Sequence, residues 1–253
     1  MKLALSAVAV GLSLWLLTGV LEAEPGIAYD AALTKEGAAG ILQNGAPPAS
    51  ETDQREVSEI VRQMVEDFDK QRAVNEDTAG WLLIPNVCYY PIMYSPVYDY
   101  YLKRDHNRSA SAQGAIFING QCAPDFDNML MLIHGHNMKN ATMFGQLHEY
   151  LGEDFFQRNS PVIIYDGALL RTYKPFTAVV LEENNDVIDA RDLSDVDRTS
   201  YIESMYNRSV CKMERGEVPD LAKPVVFFST CDYSFSEARL LVGAYLVETV
   251  EVR

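Results

Sequence analysis

Positive charge is scarce in this chain. Lys and Arg number 21 against 36 Asp and Glu, leaving a formal charge of −15 over 253 residues. Nucleic acid, whose phosphates such a surface repels, is excluded as a partner. Cysteine and histidine are as sparse, at four each, and no Cys-x-x-Cys pair or Cys/His zinc spacing occurs. The acidic segment Glu182 to Asp197 lacks the Gly and the terminal Glu of a calcium loop, so it reads as a solvated loop and a helix cap. No metal and no cofactor is expected. Internal repeats are absent too, and an apolar content of 48% suits one substantial core.

What the chain does have begins with Lys2 and an uncharged, mostly apolar stretch from Leu3 to Leu21. That length crosses a bilayer and exceeds most signal-peptide cores. The flank Leu21-Glu22-Ala23-Glu24 is a poor small-x-small cleavage site, so residues 1–22 are expected to remain as a membrane anchor; a cleaved signal peptide is the other reading. One Lys before the span and acidic residues after it place the N-terminus inside and the body outside. Residues 23–50, rich in Ala, Gly, Pro and acidic residues, read as a flexible tether.

The body is expected over residues 51–253. Val57, Ile60, Val61, Met64, Val65 and Phe68 recur at helical spacing and predict a one-sided helix from Ser50 to Arg72, capped by Ser50 or Thr52. From Gly80 the pattern changes to short apolar runs: Trp81–Ile84, Ala115–Ile118, Met129–His134, Val162–Tyr165, Leu169–Tyr173, Thr177–Leu181, Val225–Phe228 and Leu240–Val250. Asp166-Gly167 is a hairpin signal between two of them. Phe144, Leu147 and Leu151 mark a short helix, and Tyr201, Met205 and Val210 another between Ser194 and Val210. The fold class is mainly β: a closed barrel of about eight strands, with N-terminal helical structure and an extra helix between late strands.

Two of these runs end in reactive residues. Val225 to Phe228 leads into Ser229-Thr230-Cys231, and a second strand starts at Arg239 after a short polar loop. Two adjacent strands joined this way hold Cys231 and Arg239 at one edge of one sheet. A thiol beside a fixed cation suits nucleophilic acyl chemistry, because the thiolate is the reactive form. The bland reading makes Cys231 a small buried residue and Arg239 a surface charge. The run Asn128 to Ile133 leads into His134-Gly135-His136-Asn137-Met138-Lys139, and a His at a strand end is a good mount for a general acid or base. Either His134 or His136 could reach the Cys, since Gly135 gives the backbone room to turn.

Together, HGHNMKN and STCDYSFSEAR resemble the active-site segments of the sortases, class B in particular. Upstream, Gly80-Trp81-Leu82-Leu83-Ile84-Pro85, Asp99-Tyr100-Tyr101-Leu102, Gly114-Ala115-Ile116-Phe117-Ile118 and Met143-Phe144-Gly145 match further segments in order. The resemblance selects His136, Cys231 and Arg239 as catalytic residues. Two departures stand out: the family's Thr-Leu-x-Thr-Cys reads Phe227-Phe228-Ser229-Thr230-Cys231 here, and His134 stands where class B often has Tyr. The predicted helix between Ser194 and Val210 matches the one class B inserts beside its active site.

The resemblance implies a cysteine transpeptidase at the membrane of a Gram-positive bacterium, with its domain outside. Cys231 would attack a Thr carbonyl near the C-terminus of a sorting-signal-bearing surface protein, giving a thioester. His136 would move protons, and Arg239 would donate to the oxyanion or substrate backbone. The acceptor would be an amine, from a lipid II-type cross-bridge precursor or a pilin Lys. His134, Ser229 and Thr230 are expected to line the substrate groove. Asp232 would orient His136 or cap a loop, His106 and His148 would lie on the surface, and a Cys88–Cys122 disulfide is conceivable. Two alternatives remain. One is an L,D-transpeptidase-like peptidoglycan enzyme, which the lack of any His between His148 and Cys231 opposes; the other is a non-catalytic membrane-tethered β domain.

Overall fold

A computed structural model of the chain describes residues 51–252, apart from 98, 119–123, 125, 128, 159–160, 183–194, 214–222 and 233–237. The expected anchor and tether, and Cys122, lie outside the described residues.

Strand β1 (Thr78–Ile84) explains why the strongest sequence signal is a continuous apolar run rather than an alternating one. Leu82 and Ile84 point into the barrel core, while Trp81 and Leu83 point outward beneath helix α1 (Glu51–Val74). Both faces of the strand are therefore buried. The helix covers the outer side with Val61, Met64 and Phe68, and Phe68 meets Tyr165 edge-on at 5.3 Å. Burial of each such side chain is worth about 1.5–3 kcal/mol. Thr52, one of the expected caps, falls inside the helix.

A tight turn with Asn86 at φ 60°, a conformation Asn tolerates, leads into β2 (Cys88–Met93), which pairs antiparallel with β1. The sequence reading missed this strand because Pro91 interrupts it. The chain then forms β3 (Ile116–Ile118), β4 (Leu130–His134), β5 (Val162–Tyr165) and β6 (Leu169–Glu182). Between β4 and β5 lie a 3-10 turn, Leu147–Leu151, and the short helix α2 (Glu153–Arg158). The β5–β6 hairpin has Gly167 at φ +100°, and Asp166 Oδ1 accepts from the amides of Ala168 and Leu169. Sequence periodicity divides β6 into two strands. It is one, with a register shift between Pro175 and Thr177 that absorbs the missing N–H of the proline.

Helix α3 (Asp195–Arg208) and β7 (Cys211–Lys212) precede the final hairpin of β8 (Val225–Asp232) and β9 (Ala238–Glu251). Val210, expected on the apolar face of α3, is instead 60% exposed beyond its end. Tyr201 packs on Phe227 at 5.6 Å, seating α3 against β8. The strands run β1-β2-β3-β4-β8-β9-β6-β5 and return to β1, a closed barrel of eight with β7 attached to the free length of β6. Closure leaves β4 parallel to β8, so the ends of both emerge at one rim. That rim carries His134, Cys231 and Arg239.

Candidate active site

Cys231 and Arg239 are direct partners across the β8–β9 ladder, as the two-strand reading requires. Opposed residues on one face of an antiparallel pair bring their side chains together. Here Arg239 Nη1 donates to Cys231 Sγ at 2.8 Å, with both residues half-buried. Sulfur accepts weakly as a thiol and more strongly as an anion. The strand continues to Asp232, four residues past the expected end at Phe228.

Parallel pairing sets His134 beside Ser229, and the ladder runs one step further as Gly135 N donates to Ser229 O at 3.1 Å. Gly135 is required for a different reason from the expected turn. A Cβ there would sit 2.6 Å from the ring of Phe144, which packs against the bare backbone. The chain then presents His136 and Asn137. Asn137 Nδ2 donates to the carbonyl of Cys231 at 3.0 Å, joining the histidine segment to the end of β8.

His136 Nε2 lies 2.8 Å from the backbone oxygen of Leu102. A carbonyl can only accept, so Nε2 carries a proton and Nδ1 is left for acid–base work. Leu102 belongs to the 3-10 turn Tyr100–Lys103, which is itself tied down. Tyr101 is 1% exposed, donates to Asp77 at 2.6 Å, and receives a bond from Asn75 at 2.8 Å. Gly114, at φ +60°, lies against this arrangement: a Cβ would come within 2.7 Å of Leu102 O and 3.0 Å of His136 Cδ2.

His134 is half-buried, with its ring 5.5 Å from that of Phe117. Desolvation, and then the charge of Arg239, push its pKa down to about 4. An imidazole that is neutral at ordinary pH lacks the acidic proton of an imidazolium, so His134 is poorly suited to protonate a leaving amine.

Ser229 and Thr230 are each only 1% exposed. They lie beneath the surface, packed into the β8 ladder, and not on the wall of a groove as expected. His148 corrects another expectation: it is not a free surface residue, because its Nε2 lies 2.9 Å from Asp232 Oδ2. Asp232 holds this second histidine from the strand position after the nucleophile. Cys88 and Cys211 are buried free thiols, and burial raises the pKa of both, which makes each a poor nucleophile.

Asn137, the carbonyl of Leu102 and His148 were not found as site residues from sequence. Asn137 stands next to His136 in a segment already singled out; a backbone carbonyl carries no sequence signal at all.

No family model matches the chain. Sortase B of Listeria monocytogenes is 29% identical over 193 residues, covering 74% of this chain and 75% of that protein. Among solved structures, Clostridium perfringens sortase B superposes with a TM-score of 0.65 at 24% identity, covering 71% of this chain and 99% of that one. A Staphylococcus aureus sortase B–substrate complex superposes with a TM-score of 0.64 at 20% identity, covering 79% and 99%.

Proposed function

The chain belongs with the class B sortases, and from that premise we propose that it cleaves a C-terminal sorting signal of secreted proteins and joins the acyl fragment to an amine. The observation that carries this reading is the 2.8 Å bond from Arg239 Nη1 to Cys231 Sγ at the barrel rim. The Staphylococcus aureus neighbour is a sortase B–substrate complex, which supports a sorting-signal peptide as the first substrate.

The Cys231 thiolate attacks the carbonyl of a Thr in the signal, forming the S–C bond. As the tetrahedral adduct collapses, the C–N bond breaks and the departing amine takes the proton held on His136 Nδ1. The incoming amine returns a proton to Nδ1 as it attacks the thioester, and the C–S bond breaks to restore the thiolate. The guanidinium of Arg239, which donates to the sulfur, also donates to the oxyanion that forms on the carbon bonded to it. The acceptor is a cross-bridge amine of a lipid II-type precursor or a pilin Lys. Residues 1–22 hold the enzyme in the membrane with residues 51–253 outside, and 23–50 give it reach.

Capture of the acyl-enzyme tests the reading. The full-length chain, incubated with a sorting-signal peptide and no amine, should gain the acyl mass on Cys231, and added amine should release it as a new amide. No acylation by any sorting-signal peptide, with Cys231 intact, would return the chain to the non-catalytic class.

A further inference from the structure

One residue past the nucleophile stands a carboxylate that the chemistry above does not use. Successive side chains on a strand point to opposite faces, so Asp232 lies on the far side of β8 from the sulfur of Cys231. Its side chain is 6% exposed and its Oδ2 lies 2.9 Å from Nε2 of His148. An ionised carboxylate only accepts, so His148 is the donor. The 3-10 turn that carries His148 is firmly seated: Leu147 and Tyr150 are fully buried. Just before it, Phe144 meets Phe228, four residues before Asp232 on the same face of β8, edge-on at 6.0 Å. On the other side, Asn137 Nδ2 donates to the carbonyl of Cys231, the oxygen of the peptide that links Cys231 to Asp232. The segment between β4 and β5 thus grips that peptide twice, once at its oxygen and once through the next side chain.

We propose that His148 is a positioning residue for the nucleophile. Acting through Asp232, it fixes the last residue of β8 and so keeps the sulfur of Cys231 under the Arg239 guanidinium. A carboxylate this buried relies on its donors, and losing the His148 bond loosens its hold on the strand end. The inference rests on Cys231 being the nucleophile, and it adds a residue that neither motif contains.

The test uses the full-length chain and two variants: His148→Leu, which fills the space without a donor, and His148→Gln, whose amide N–H can replace Nε2. Three quantities are read: kcat and KM for peptide cleavage, the rate of Cys231 alkylation by iodoacetamide followed by peptide mapping, and the melting temperature. In His148→Leu, kcat and alkylation should both fall about tenfold or more, the scale of a charge-assisted hydrogen bond, with KM little changed. His148→Gln should recover most of both. Wild-type kcat and alkylation in the Leu variant, or a Gln variant no better than Leu, would overturn the proposal. Should His148→Leu fail to fold, Asp232→Asn takes its place: slower alkylation supports the role, and an unchanged rate sinks it. Since alkylation needs no peptide, a wild-type chain that cleaves nothing would refute the transpeptidase reading while this comparison still decides the role of His148.

Discussion

His136 gives its Nε2 proton to the backbone carbonyl of Leu102 at 2.8 Å, across 34 residues of chain. The residue proposed here as the acid–base group is therefore oriented by a peptide oxygen. Orientation then depends on whatever holds the Tyr100–Lys103 turn in place: the buried Asn75–Tyr101–Asp77 network on one side and the bare backbone of Gly114 on the other. Helix α1, whose end leads into Asn75, is in this way part of the support of the active site as well as a cover for the barrel.

Gly114→Ala tests that support. At φ +60° an Ala is strained by about 1–3 kcal/mol, and its Cβ must displace either Leu102 O or the imidazole. The variant should fold with lower stability and lose at least about tenfold in kcat. A rate profile over substrate concentration should show the loss in kcat and not in KM, because the His136 Nε2–H loses its acceptor. A variant destabilised but with the parent profile and kcat would mean that Gly114 serves the turn alone.

Cys231→Ala should abolish peptide cleavage and leave the fold intact. The residue is half-buried at a strand end, so truncation leaves little cavity and costs about 1 kcal/mol or less. Circular dichroism and thermal melting check the fold, and mass spectrometry checks for the acyl adduct. Cleavage retained by the Ala variant would remove the thiol from the mechanism.

Arg239→Lys keeps the charge but not the planar fork. Lys presents a flexible point charge that cannot address the sulfur and an oxyanion together. Loss of one oxyanion donor typically costs about 10²–10³ in kcat, and a fall of this order is expected, mainly in the acylation step. Single-turnover acylation measures it; a Lys variant within a few-fold of the parent would reduce Arg239 to a generic counter-charge.

How much of this was readable in the sequence follows from the range of each interaction. The Cys231–Arg239 pairing was legible because both lie in one hairpin, and two apolar runs with a short loop leave few registers. The barrel was legible from its run lengths, except for β2, where Pro91 sits inside a strand and hides it, and β6, where a bulge looks like a break. His148 was not, because its partner lies 84 residues away and a polar His in a helical turn has the pattern of a surface residue. Ser229 and Thr230 misled in the opposite sense: hydroxyls beside Cys231 suggest a groove, yet each residue is only 1% exposed.

The two histidines of the His134-Gly135-His136 segment should separate by both rate and pH. His136→Ala removes the proton donor and should lose about 10²–10⁴-fold in acylation. His134→Tyr should leave the chemical step near normal, since a ring whose pKa is depressed to about 4 lacks the acidic proton of an imidazolium at neutral pH. Its titration is visible instead in stability. The unfolded chain binds a proton at His134 near pH 6.5, whereas the folded chain resists it until about pH 4. Between those values the unfolded state holds more protons, so stability falls as pH falls through that window and the loss is complete below it. The depression corresponds to at most about 3 kcal/mol, with desolvation the larger cause and the Arg239 charge the second. His134→Tyr should therefore flatten the dependence of denaturant midpoint on pH between about 6.5 and 4. Arg239→Gln should flatten it in part by removing the repelling charge. A His134→Tyr chain as inactive as His136→Ala would make the two rings a working pair, and one with the parent's acid lability would place that lability on other groups.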